Sequence, residues 1–275
     1  MIANARMYST SPAVAETWRE LFVALIQESG LDIAYAEHAA PAPLEDLWRR
    51  DDLAAVFMCG LPYVRAERMP TLIAAPVPCG EDFGDAPRYW SDFVVRGDGP
   101  IGSLEESFGG RIAFTGPSSQ SGYAAALHFL IAAGGGPGAR EPLYREVIAP
   151  QITPRRAVQA VIEGAADIAP IDAYALALMR RFEPEALSGL RVVARTAPTA
   201  IPVLVATDER ALALIPVLLS AHERKNIRAL LARLMLRRFA RPDPAAYADL
   251  LADYRTAMRY WRGRPLAASV HPAFL

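Results

Sequence analysis

At 275 residues the chain is long enough for two modest α/β lobes or one large domain. Hydrophobic residues make up 52% and charged residues 21%, which excludes a disordered chain. The formal net charge of −1 leaves no basic face of the kind that tracks phosphates along a strand, so no nucleic-acid partner is expected.

Residues 2–8 read as a short first strand. Pro12 sits at a helix start behind the cap candidates Ser9, Thr10 and Ser11, and Val14, Trp18, Leu21, Phe22, Leu25 and Ile26 form a buried stripe that Gly30 ends. Strands follow at 31–35, 54–58 and 71–78, with helices at 43–50 and 62–68 between them. This β-α-β-α-β order belongs to a sheet covered by helices on both faces. The polar, turn-rich segment EDFGDAP at 81–87 changes the pattern. Beyond it the spacing predicts strands at 89–96, 111–114, 167–170 and 190–195. Helices are expected at 121–133, 154–163 and 172–182, with a GGGPG loop at 134–138. A strand at 200–206 then leads into helices at 208–220, 223–238 and 244–261. That tail is too short for an independent α/β domain and is expected to pack on the first lobe. The division is therefore 1–85 plus 198–275 for lobe 1 and 86–197 for lobe 2, with the chain crossing near 80–90 and 195–200.

The most informative segment is RIAFTGPSSQSGYAAALHFL at 111–130. An apolar strand runs through Gly116 and Pro117 into Ser118, Ser119, Gln120, Ser121 and Gly122, and then into a helical stripe. Small residues let the backbone approach a ligand, and a helix start offers N–H groups and partial positive charge to an anion. Serine hydroxyls add donors that rotate to fit a tetrahedral group. The plainer reading is a capped helix and a filled turn.

Other signals carry less. Cys59 and Cys79 form no CxxC, so a structural zinc site is not expected; they are two free thiols unless the fold and an oxidising compartment pair them. His38, His128, His222 and His271 show no metal spacing, and no metal or cofactor is expected. The residues 97–102 spell GxGxxG around Pro100 without a following helix, and Ser121 is not in GxSxG. No apolar run of about 18 residues occurs, so no transmembrane segment is expected. The first residues lack the apolar core of a signal peptide. The protein is periplasmic if a signal peptide has been removed and cytoplasmic otherwise.

The segment 89–123, YWSDFVVRGDGPIGSLEESFGGRIAFTGPSSQSGY, resembles the phosphate/phosphite/phosphonate-binding proteins of ABC importers. It is similar to their block of a "VVR"-like strand, an "SPI-SL" stretch (here GPIGSL), a "GKR-AF" strand (here GGRIAF) and a "P-S-S-G" turn opening a helix. AVFMCGLPYVR at 55–65, AVIEGAADIAPIDA at 160–173 and the segment 191–202 match further blocks in the family's order, covering roughly residues 5–205. The resemblance implies a two-lobed periplasmic-binding-protein-like α/β fold, each lobe a mixed sheet flanked by helices, with a ligand cleft that closes by a hinge. It implies no enzymatic activity and no catalytic residues. It also implies a small anionic ligand, an ABC permease as partner, and a monomer. Carried over by position, Ser118, Ser119, Ser121 and Gly122 match the oxyanion turn, with Gln120 and Tyr123 beside them. Tyr8 and Tyr89 match aromatic contacts, and Tyr63 is a further candidate that serves equally as a packing residue. Asp172 matches an acid that accepts from ligand groups, or it caps a helix. Gln120 stands where the family often has Thr, and Ile152-Thr153-Pro154 stands where it often has "GSH". Arg155 or Arg156 could supply the missing charge, or be exposed helix-start arginines. Two rivals share the architecture: a cytosolic enzyme, or a ligand sensor, acting on a small organic anion.

Overall fold

The computed structural model describes residues 1–134 and 142–270. In chain order the strands are β1 (Ile2–Asn4), β2 (Ala34–Tyr35), β3 (Leu53–Met58), β4 (Thr71–Pro78), β5 (Arg88–Tyr89), β6 (Ser91–Arg96), β7 (Arg111–Ala113), β8 (Tyr144–Ile148), β9 (Ala169–Asp172), β10 (Leu190–Arg195), β11 (Thr199–Ala200), β12 (Val203–Ala206), β13 (Leu236–Ala240) and β14 (Ala267–Val270). The α-helices are α1 (Pro12–Ser29), α2 (Leu44–Trp48), α3 (Gly60–Arg65), α4 (Ala125–Gly134), α5 (Pro154–Ile162), α6 (Ala173–Phe182), α7 (Pro184–Leu187), α8 (Ile215–Leu219), α9 (Lys225–Arg233) and α10 (Ala248–Gly263). Two compact units result: Met1–Tyr89 with Thr199–Tyr247, and Trp90–Pro198 with the residues from Ala248 onward.

The first unit is built on one sheet in the order β13-β4-β12-β3-β1-β2. β1 runs parallel to β2 and β3, whereas β12 is antiparallel to β3 and β4. Every residue of β3 is buried, the pattern of a strand covered on both faces. Helix α1 forms where the stripe predicts it. The Ser11 hydroxyl accepts from the Val14 N–H, Pro12 occupies the first turn, and Gly30 ends the helix at φ 65°. Its buried face carries Trp18 and Phe22, and Trp18 meets Phe57 of β3 edge-on at 5.1 Å.

The second unit has an antiparallel sheet, β10-β6-β9, and a parallel one, β14-β8-β7. An Ile112–Ile168 bridge joins β7 to the segment entering β9. Phe93, Phe114, Leu130 and Tyr144 centre one core, and Val94, Ala157, Ile171 and Leu176 centre the other.

Two expectations are corrected. The tail does not all belong with the first unit: α10 packs on α4, where the Trp261 indole N–H donates to the Leu127 carbonyl at 2.9 Å. The helix expected through 238 ends at Arg233. Met235 takes φ 54°, and Leu236–Ala240 pairs with β4, because Leu236 and Phe239 are buried as strand residues there. β8 and β14 are strands the periodicity does not announce. The expected loop at 134–138 lies outside the described residues beyond Gly134, as does His271. Cys59 and Cys79 are free thiols. No helix among the described residues is long and apolar enough to cross a membrane.

Candidate anion site

In the second unit three helices begin just beyond the carboxyl ends of three strands: α4 after β7, α5 after β8, and α6 after β9. Open α/β sheets bind ligands at this edge. After β7 the chain turns through Gly116 and Pro117, and the Ser119 N–H closes the turn on the Gly116 carbonyl at 3.0 Å. Ser119 is the cap, its Oγ accepting from the Gly122 N–H at 3.0 Å. Residues Gln120–Ala124 form a wide π-type turn, with the Ala124 N–H reaching the Ser119 carbonyl at 3.1 Å, before α4 continues. Such turns recur at functional sites.

Gly122 permits this shape. Its carbonyl accepts from the Thr115 N–H at 3.2 Å, and a Cβ at 122 would lie 2.2 Å from Thr115 Oγ1. Only a residue without a side chain lets the turn fold back so closely on the strand. The first-turn N–H groups of a helix have no partner within it. Here the Gly122 N–H goes to Ser119 and the rest lie at the positive end of the helix. The hydroxyls of Ser118 and Ser121 make no hydrogen bond among the described residues, although Ser121 is only 5% exposed. Gln120 is buried beside them.

Two supports of this turn leave no local mark in the sequence. Ser91 of β6, fully buried, donates its hydroxyl to the Ser121 carbonyl at 2.7 Å. The segment after β8 is tied to the same place: the Gln151 N–H donates to the Phe114 carbonyl at 3.0 Å and the Ile152 N–H to the Thr115 carbonyl at 2.7 Å. Ile152 holds φ 68°, a left-handed conformation that a β-branched residue adopts only under constraint. Thr153 then caps α5, accepting from the Arg156 N–H at 3.2 Å. The sequence departure at 152–154 thus still opens a helix against the anion turn. Neither carries a local signal: Ser91 is a polar residue that opens its strand next to Asp92, and Ile152 is an ordinary apolar residue.

Asp172 lies opposite Ser91 in the β6–β9 ladder, and its Oδ1 accepts from the Ala175 N–H at 2.9 Å, so it caps α6. Arg155 and Arg156 are exposed, and Arg155 pairs with Glu183. Tyr123 is buried, its ring edge-on to Phe114 at 5.4 Å; burial, with Tyr254 adding, pushes its phenol up to about 12. The three other candidate tyrosines fall in the first unit. Tyr8 packs edge-on to Phe57 at 5.2 Å. Tyr63 meets Tyr247 at 5.5 Å, and burial raises its pKa. Tyr89, fully buried, has its hydroxyl 4.0 Å from Cys59 Sγ. His128 lies on α4 beside Asp253, at 3.9 Å. Among the described residues no group of three His, Cys, Asp or Glu side chains is placed to hold a metal.

Two α/β units, one of them with a serine-lined helix start beyond a strand end, are the architecture expected of a periplasmic-binding-protein-like protein. Over residues 7–247 the chain matches the family described as ABC transporter, phosphonate, periplasmic substrate-binding protein, and it belongs to that family. The fold is shared with a binding-protein component of an ABC phosphonate transporter from Pseudomonas aeruginosa, at 18% identity over 95% of this chain and 86% of that one, with a TM-score of 0.73. PhnD1 from Prochlorococcus marinus, in complex with methylphosphonate, superposes with a TM-score of 0.76 at 16% identity, covering 94% of this chain and 97% of its own. A Xanthomonas citri protein bound to chloride ion superposes with a TM-score of 0.62 at 20% identity, covering 94% and 99%. No curated protein is matched by this chain.

Proposed function

We propose that the protein captures a phosphorus oxyanion, phosphate or a small phosphonate, on the turn at 118–123, and delivers it in the periplasm, as a monomer, to an ABC permease. Binding and release, with no bond made or broken, are its whole task. The observation that carries this reading is the Ser119-capped π-type turn, pressed onto β7 by Gly122. It sets the Ser118 and Ser121 hydroxyls at a helix start rich in N–H donors. Gln120 borders the anion, and Asp172 selects among ligands by accepting from a donor on the organic tail. Tyr123 holds the turn from its apolar side. Tyr8, Tyr63 and Tyr89 are proposed as aromatic ligand contacts from the family resemblance alone, and Tyr63 also packs on Tyr247.

Thermal shift against phosphate, phosphite, methylphosphonate, 2-aminoethylphosphonate, sulfate and small carboxylates tests the reading, repeated on Ser119→Ala and Ser121→Ala. A ligand at roughly 100 times its dissociation constant stabilises the fold by about 2.7 kcal/mol. Stabilisation by one phosphorus oxyanion, lost in both variants, is the expected result. Stabilisation by none of them, or an unchanged response in both variants, defeats it.

A further inference from the structure

Arg6 follows the carboxyl end of β1, the edge at which its parallel neighbours β2 and β3 also end. That is the edge of the first unit's sheet where an open α/β fold takes ligands. The backbone there is held firmly. The Arg6 N–H donates to Asn4 Oδ1 at 2.8 Å, Asn4 Nδ2 donates to the Ala36 carbonyl at 2.7 Å, and the Ser9 N–H closes onto the Arg6 carbonyl at 3.1 Å. The side chain is served less well. Arg6 Nη2 is buried and has no hydrogen-bond partner among the described residues. Burial pulls its pKa below the ordinary arginine value, and Glu45, which opposes this, acts through space.

Three other arginines each meet a carboxylate. Arg111 sits on Asp167, Arg195 on Asp92 and Arg233 on Glu20. A guanidinium keeps its proton in proteins, so Arg6 retains a full charge and a buried donor without an acceptor. The chemistry that satisfies such a group is an anion presenting oxygens.

We propose that Arg6 contacts ligand: its Nη2 donates to an oxygen of a small oxyanion bound at the carboxyl edge of the first unit's sheet. The ligand class rests on the reading of the chain as a phosphorus-oxyanion binder. Titration calorimetry tests it, with methylphosphonate, inorganic phosphate and sulfate as separate probes. The proteins are wild type, Arg6→Gln, Arg6→Met and Ser119→Ala, and the melting temperature of each is measured without ligand. Both Arg6 variants are expected to bind the wild-type ligand about tenfold or more weakly, the scale of a lost charge-assisted hydrogen bond. Without ligand, Arg6→Met is expected to melt no lower than wild type, because it removes a buried unpaired charge while keeping an apolar stem. Binding retained in both Arg6 variants but lost in Ser119→Ala overturns the role of Arg6 and leaves the turn at 118–123 standing. Loss in the Arg6 variants with Ser119→Ala unaffected supports Arg6 and overturns that turn. A wild type that binds none of the probes overturns both. Ligand-free melting far below wild type in both Arg6 variants makes Arg6 a packing residue and overturns the proposal.

Discussion

Ser91 lies opposite Asp172 in the β6–β9 ladder and donates its hydroxyl to the Ser121 carbonyl, 2.7 Å away. One buried serine therefore joins the middle strand of an antiparallel sheet to the turn that opens α4. It does so next to the residue that caps α6. Its own backbone is fixed as well: the Ser91 N–H donates to Thr196 Oγ1 at 3.0 Å, and the Ser91 carbonyl accepts from the Thr196 N–H at 3.0 Å. The position of the Ser121 hydroxyl is thus set from a strand 30 residues away.

Replacing Ser91 by Ala leaves the Ser121 carbonyl buried without this donor. An unsatisfied buried acceptor costs about 1–3 kcal/mol, so urea unfolding of Ser91→Ala should show a loss of that size. Affinity for the anion should fall too, because the turn is no longer anchored. A variant that unfolds at the wild-type urea concentration would remove Ser91 from the support of the site.

Gly122→Ala puts a methyl group 2.2 Å from Thr115 Oγ1 and 3.0 Å from Ser119 Oγ. The turn must open or the strand must shift, at a cost of about 1–3 kcal/mol for overpacking. The hydroxyl of Ser119, which holds the Gly122 N–H, would be displaced with it. Gly116→Ala is the matched control, since nothing lies within 4 Å of a Cβ there. Denaturant unfolding should separate the two clearly, and removing the obstructing side chain in Gly122→Ala/Thr115→Gly should recover part of the loss. Equal stabilities for the two single alanine variants would contradict this account of the turn.

Local rules explain which parts of this structure can be read from the chain. Helix α1 carries its own stop and start signals in Ser11, Pro12 and Gly30, and each acts where it stands. The helix start after Pro117 is equally legible, because serines and a glycine between an apolar strand and an apolar stripe leave little else for the chain to do. β13 is not, because the arginine and leucine spacing of α9 runs on past Arg233 while the break occurs at Met235, with no glycine to mark it. The placement of α10 is decided by contacts such as Trp261 to Leu127, separated by 134 residues, which no local pattern records. The same holds for Ser91 and for Ile152, whose roles come from partners distant in the chain.

Alkaline stability follows from the buried phenols. Burial pushes Tyr35 and Tyr123 up to about 12, from an ordinary value near 10. Between those values the unfolded chain has released protons that the folded protein retains. Stability contributed by the neutral phenols is therefore complete below about pH 10 and is lost as pH rises through about 12. Tyr123→Phe should match wild type at neutral pH and lose less between pH 10 and 12. Melting curves across that range, with tyrosinate absorbance followed in parallel, check the sign. A fold that gains stability above pH 10 would contradict it.

Asp172→Asn isolates charge from structure. Asparagine caps helices about as well as aspartate, so the bond from the Ala175 N–H should survive and the melting temperature should change little. What disappears is a negative charge at a residue only 6% exposed, opposite Ser91. If Asp172 accepts from a ligand amine, 2-aminoethylphosphonate should bind Asp172→Asn about tenfold or more weakly, the scale of a lost hydrogen bond between charged groups. Methylphosphonate has no such donor and feels the carboxylate only as a like charge, so its affinity should hold or rise. Calorimetric titration of the two ligands into the two proteins measures the difference directly. Equal changes for both ligands would leave Asp172 as the cap of α6 alone, with selection of the organic tail made elsewhere.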